Sequence, residues 1–185
     1  DQYFYETFTQ KGPRKITLVA GDQLTGTHAS YDLVEPLGNG AVGHVWSARL
    51  RADSDPQLVA AKIMLPREDL LDVSKLTNVR ERFRREGSYG MQLKHPHVVR
   101  YIDLGDVQGN PFLVMELAEA SIGSFLRDGD KLEESDTDSI VACCLDGLDY
   151  LHSHGAPHRD VKPDNILKFG DTYKLGDLGI VKWGD

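Results

Sequence analysis

Along the first two thirds of this chain the apolar positions alternate or gather in short runs, and clear helical spacing comes only afterwards. Tyr31–Leu37 and Gly43–Leu50 each read as a strand, with a glycine-rich turn between them. A loop over Asp53–Gln57, holding Pro56, leads to Leu58–Met64, a short apolar run that fits a buried strand. Val98–Asp103 and Pro111–Glu116 predict two more strands, joined by a turn at Gln108-Gly109-Asn110. Lys15–Ala20 predicts a further strand before a Gly21-Asp22 turn, and the rest of residues 1–30 shows no clear period. Leu76–Leu93 has helical composition, crowded with Arg80, Glu81, Arg84, Arg85 and Glu86. Asp136–His152 is the clearer helix: Ile140, Val141, Cys144, Leu145, Leu148 and Leu151 share one face. Ser135 or Asp136 is placed to cap its start. Strands with one helix, then helices, then short strands predict a two-lobe α+β arrangement without repeats.

Composition narrows the class. The 185 residues suffice for one good core or two small lobes, and 40% hydrophobic with 27% charged residues is ordinary for a soluble domain. A net charge of -8 argues against nucleic-acid or membrane-surface partners, which need a basic face. A nucleotide held through Mg²⁺ and local dipoles remains compatible with it. The 2 cysteines, Cys143 and Cys144, are adjacent, which disfavours a bridge between them. In an apolar helix they read as buried thiols, which suits a reducing, cytoplasmic compartment. No apolar run is long enough to span a membrane and no signal peptide is seen. The 7 histidines show no metal-ligand spacing; His152 and His154, at a helix end, suit solvated or capping roles.

Four stretches carry candidate chemistry. Leu37-Gly38-Asn39-Gly40-Ala41-Val42-Gly43-His44-Val45 allows a tight turn whose backbone N–H groups approach phosphates. Alone it is a weak signal, and a dinucleotide fold would place a helix next, where Val45-Trp46-Ser47-Ala48 reads as strand. In Val59-Ala60-Ala61-Lys62-Ile63 an ammonium sits in an apolar strand, which is costly unless a phosphate or carboxylate meets it. Glu86 is the candidate carboxylate, although a charged helix residue by itself is ordinarily a surface residue. His158-Arg159-Asp160-Val161-Lys162-Pro163-Asp164-Asn165-Ile166-Leu167 and Asp177-Leu178-Gly179 offer carboxylate and amide oxygens from two loops, as Mg²⁺ prefers. A further Asp there is able to take a hydroxyl proton. Each short motif taken singly also reads as a plain turn or loop.

Taken in order, these motifs resemble the eukaryotic-like serine/threonine protein kinase catalytic domain, from Tyr31 to about Lys182. Lys94-His95-Pro96-His97-Val98-Val99 looks like the family's linker after the Glu86 helix, and Gly147-Leu148-Asp149-Tyr150-Leu151-His152 is similar to its approach to His158. The resemblance implies a two-lobe α+β fold with a complete small lobe, an antiparallel sheet plus one helix, and a partial large lobe. Residues 1–30 would be an extension, 31–116 the small lobe, and 117–185 the hinge and first part of the large lobe. It implies transfer of the ATP γ-phosphate to protein hydroxyls. Leu37, Gly38, Asn39, Gly40, Ala41 and Gly43 would cover the phosphates. Lys62 would contact them while pairing with Glu86. Val45, Ala60 and Leu167 would sandwich adenine, Met115 would guard the back pocket, and Glu116 and Ala118 would meet the adenine edge. Asp160 would orient the attacking hydroxyl and accept its proton, Lys162 would steady the phosphate, and Asn165 and Asp177 would hold Mg²⁺. Lys162, two residues after Asp160, is similar to the serine/threonine branch.

The chain departs from the family pattern at four places. Leu178 stands where phenylalanine is usual. Gly90 replaces an apolar side chain that would stack with Leu178 and His158, and predicts a loosely held Glu86 helix. Pro157 before His158 is unusual, and an edge strand accepts it. The activation segment and later large-lobe helices are missing after Gly179, and the chain opens on Asp1, which predicts a truncated segment of a longer kinase or a short form. Such a chain is expected to leave Leu145 and Leu148 partly exposed. Alone it is expected to be poorly stable, oligomeric or partner-dependent, with little or no turnover. The alternatives are an ATP-binding regulatory module without turnover, and a split fragment completed by the missing C-terminal part or a partner chain.

Overall fold

The computed structural model describes residues 16–39, 43–51, 57–65, 73–129 and 131–178, without the side chains of 73–79 and 82. The described residues form two compact units. One holds those up to Ser88 with Tyr101–Leu117; the other holds Tyr89–Arg100 with those from Ala118 onward.

The first unit is built on an antiparallel sheet. Its strands are β1 (Gln23–Thr25), β2 (Ser30–Asn39), β3 (Gly43–Leu50), β4 (Leu58–Met64), β5 (Tyr101–Val107) and β6 (Asn110–Glu116). They lie in the order β1-β2-β3-β4-β6-β5. Helix α1 (Val73–Gly90) runs between β4 and β5 in sequence. Alternation along β4 decides which side is core. Val59, Ala61 and Ile63 join Tyr31, Leu33, Trp46, Phe112 and Val114 in one apolar cluster, which leaves Ala60 and Lys62 on the opposite face.

A buried carboxylate fixes the entry to this sheet. Asp103, 0% exposed, accepts hydrogen bonds from the backbone N–H groups of Thr27, His28, Ala29 and Leu104 and from the Tyr31 hydroxyl. Burial first, and then the Asp103 carboxylate, push the Tyr31 phenol well above its ordinary range. Gly26 is required here, because a Cβ at that position would collide with the Asp103 carboxylate.

The second unit contains β7 (Ala120–Ser121), α2 (Ile122–Arg127), α3 (Glu134–Ser153), a 3₁₀ turn (Pro163–Asn165), β8 (Ile166–Phe169) and β9 (Thr172–Leu175). The three short strands form a sheet in the order β7-β8-β9. Val99 N–H donates to Leu175 O at 2.9 Å, and Leu175 N–H donates to His97 O at 2.9 Å. Residues 97–99 therefore pair with β9 rather than with the large sheet. On α3, Ile140, Gly147 and Leu151 are buried while Val141 and Leu145 are 51% and 64% exposed. Leu145 therefore shows the expected exposure, and Leu148 is half-buried.

Several local expectations are corrected. Residues 16–19 form no strand, and the strand that pairs with the free side of β2, away from β3, is Gln23–Thr25. Strand β5 starts at Tyr101, not Val98, because Val98 bridges to Leu175. Helix α3 starts at Glu134 with Glu133 as N-cap, and Asp136 serves three residues in by accepting from the Glu133 N–H at 3.2 Å. Pro157 lies in an irregular segment. Cys143 and Cys144 are free but only half-buried. Gly90 is buried and is the last residue of α1, so the interior-helix cost of glycine does not apply there.

Candidate active site

On the first unit, sheet register gathers one set of candidate residues. Val45 pairs with Lys62 across β3 and β4, and Ala60 pairs with Met115 across β4 and β6. Directly opposed residues share a face, so Val45, Ala60, Lys62 and Met115 lie together on the side of the sheet away from the apolar cluster. Gly43 pairs with Met64, and a Cβ there would collide with the Ile63 carbonyl oxygen. This glycine is thus demanded by strand packing as well as by any approach of phosphate.

Lys62 meets the carboxylate that an apolar strand requires. Its Nζ lies 3.5 Å from Glu86 Oε1, with side chains only 13% and 4% exposed, and 5.8 Å above the Phe83 ring. The surface reading of Glu86 is therefore set aside. The helix reaches close enough because residue 87 is glycine: a Cβ on Gly87 would run into Leu113 of β6. The Tyr101 hydroxyl also donates to Glu86 Oε1, at 2.7 Å. Sequence reasoning passed over both Gly87 and Tyr101, since neither stands in a short motif.

On the second unit, the segment from Ala156 to Leu178 winds two side chains onto one carboxylate. Lys162 Nζ donates to Asp160 Oδ2 at 2.7 Å, and Asn165 Nδ2 donates to the same oxygen at 3.0 Å and to Asp160 O at 2.8 Å. Buried His158 stands behind the loop, with Nε2 2.9 Å from Gly176 O, and the Gly176 N–H donates to Asn165 O at 2.9 Å. These bonds join the Asp160 loop to the stretch carrying Asp177. Arg159 and Asp177 adopt left-handed backbone, φ 63 and 56, which is strained for residues with a Cβ. The hydrogen bond from Lys162 holds the Asp160 carboxyl below its ordinary range, against burial, which opposes it. The same bond raises Lys162.

Leu37 is 48% exposed. Gly38 and Asn39 end β2, with Asn39 pairing to His44. Gly40 and Ala41 lie outside the described residues. Glu116 ends β6 and is half-buried, as are Ala118 and Leu167 in the second unit's share of the chain. Leu178 is 2% exposed. Among the described residues no group of His, Cys, Asp and Glu is arranged as a metal cluster.

Known proteins resemble this chain in sequence and fold. The protein kinase domain family matches residues 31–184. The serine/threonine-protein kinase PknF of Mycobacterium tuberculosis is 33% identical over 172 residues, covering 86% of this chain and 34% of that protein. The serine/threonine-protein kinase PknH of the same species is 36% identical over 152 residues, covering 81% and 23%. The crystal structure of the PknI kinase domain from M. tuberculosis has a TM-score of 0.69 and 28% identity, covering 90% of this chain and 63% of that one. This chain spans about a third or less of the length of the curated relatives it matches. The sheet that carries a Lys62–Glu86 pair, the loop that centres on Asp160 and the match over 31–184 agree: the chain belongs to the protein kinase domain family.

Proposed function

We propose that this chain carries the nucleotide-binding and phosphoryl-transfer residues of a serine/threonine protein kinase that uses MgATP and a protein hydroxyl. The observation that supports it most is the convergence of Lys162 and Asn165 on one oxygen of Asp160. A carboxylate kept ionised in this way is an acceptor ready to orient a hydroxyl. It is a weak base, so orientation is its larger part. The acceptor oxygen bonds to the γ-phosphorus while the bond to the β–γ bridging oxygen breaks. ADP leaves with that electron pair, and the hydroxyl proton passes to Asp160. Lys162, raised by its bond to Asp160, stays cationic beside the transferring group. On the sheet, Lys62 holds the α- and β-phosphates while Glu86 holds Lys62, and Val45, Ala60 and Met115 offer an apolar surface to adenine. Glu116, at the end of β6, offers its backbone to the adenine edge; on the second unit, Ala118 and Leu167 are the residues that resemble the family's adenine contacts.

The donor set fits Mg²⁺. Asn165 commits Nδ2 to two oxygens of Asp160, which leaves Oδ1 as the amide's metal-binding atom. Exposed Asp177 supplies a second hard oxygen from the joined loop. When bound, the ion offsets charge on the phosphates. No described helix is long and apolar enough to cross a membrane, and two free thiols suit a reducing, cytoplasmic setting. The test is phosphate transfer from ATP to seryl and threonyl peptides, with Asp160→Asn as the diagnostic variant. Transfer unaffected by that variant would remove the reading.

A further inference from the structure

Tyr101 and Asp103 are two residues apart on one strand, yet they serve opposite faces of the sheet. In a regular strand such residues share a face. Here Tyr101 pairs with Met115 and Asp103 with Val114, so β5 has an extra residue between those two positions. A bulge of this kind re-aims side chains. Asp103 turns toward the apolar cluster and receives the Tyr31 hydroxyl at 3.0 Å, while Tyr101 turns the other way and donates to Glu86 at 2.7 Å.

Tyr101 and Glu86 are 4% and 6% exposed, so the bond is made away from water. Its acceptor, Glu86 Oε1, is the oxygen that faces Lys62 Nζ, and the phenol is nearer to it, 2.7 Å against 3.5 Å. Lysine and glutamate are long, rotamer-rich side chains, and holding both in one geometry costs entropy. A tyrosine has two rotatable bonds and a ring fixed by packing, so its hydroxyl is a stiff anchor by comparison. We infer that Tyr101 is a positioning residue: its hydroxyl fixes the Glu86 carboxylate where Lys62 can use it. The bulge in β5 is what brings that hydroxyl to the helix. The inference rests on the kinase reading, in which Lys62 holds nucleotide phosphates.

Four forms of the purified full chain separate this role from ring packing: unaltered, Tyr101→Phe, Glu86→Ala, and the double variant. Phenylalanine keeps the ring and removes only the hydroxyl. MgATP affinity is measured calorimetrically, with cooperative melting as a check on folding. Tyr101→Phe is expected to weaken affinity about threefold to tenfold, the fold-change that the net worth of one typical hydrogen bond corresponds to. The same change made in Glu86→Ala is expected to do nothing more, because the acceptor is gone. An equal loss in both backgrounds, or none in the unaltered chain, overturns the inference. Lys62→Met is measured alongside. If it leaves MgATP affinity unchanged, the kinase reading itself fails. If it weakens affinity while Tyr101→Phe does not, only the role of Tyr101 fails.

Discussion

Lys162 Nζ lies 2.7 Å from Asp160 Oδ2, an ion pair between two residues of one loop. Both side chains are partly open to solvent, 49% and 31%, so the contact adds little to folding. Its effect is on titration. Asp160 is held low chiefly by the Lys162 hydrogen bond, against burial and the Asp177 charge. A depressed carboxyl stabilises the fold above its ordinary value of about 3.9, and that contribution is lost as pH falls through the lowered one. Lys162→Met is predicted to raise the Asp160 titration toward the ordinary range, followed by carboxyl ¹³C NMR. An unmoved titration would show that Lys162 does not set it.

Asp177 combines an exposed carboxylate with left-handed backbone at φ 56. Alanine there would remove the proposed ligand and strain the chain together, whereas asparagine tolerates that conformation. Asp177→Asn is therefore the cleaner variant. It is expected to lower ATP affinity in the presence of Mg²⁺ and to leave affinity in EDTA unchanged. Equal affinity for MgATP in both forms, by calorimetry, would remove Asp177 from the metal site.

Asp103 is predicted to be one of the costliest positions in the first unit. Asp103→Ala leaves the N–H groups of Thr27, His28 and Ala29 and the Tyr31 hydroxyl without their acceptor. The loss should be roughly 3 kcal/mol or more, since each stranded donor that water cannot reach costs about 1–3 kcal/mol. Tyr31→Phe removes one of these bonds, made to a carboxylate, and should cost about 1.5–3 kcal/mol. Urea unfolding of the two variants checks the order. A milder effect from Asp103→Ala than from Tyr31→Phe would contradict it.

The chemistry was more legible in the sequence than the contacts that support it. Lys62 inside an apolar strand demanded a negative partner, and Glu86 at 3.5 Å is that partner. The Asp160, Lys162 and Asn165 set follows from residues within one short loop. Tyr101 was hidden because face alternation fails across the β5 bulge, and a bulge leaves no mark in the pattern of apolar residues. Gly87 was hidden because its value lies in how near Leu113 stands. Ile16, Leu18 and Ala20 mimic strand alternation, but β2 takes Gln23–Thr25 as its partner while the Asp103 carboxylate anchors Thr27–Ala29. Val98 and Val99 read as the start of a strand, yet their partner is Leu175.

The central claim is that Asp160 serves phosphoryl transfer to a protein hydroxyl. Its most direct test is single-turnover transfer from MgATP to a serine- or threonine-containing protein substrate, comparing the protein with its Asp160→Asn variant at matched nucleotide occupancy. The account predicts nearly unchanged MgATP affinity and transfer slowed by about 10²–10⁴-fold. Transfer at the same rate in both forms would contradict it.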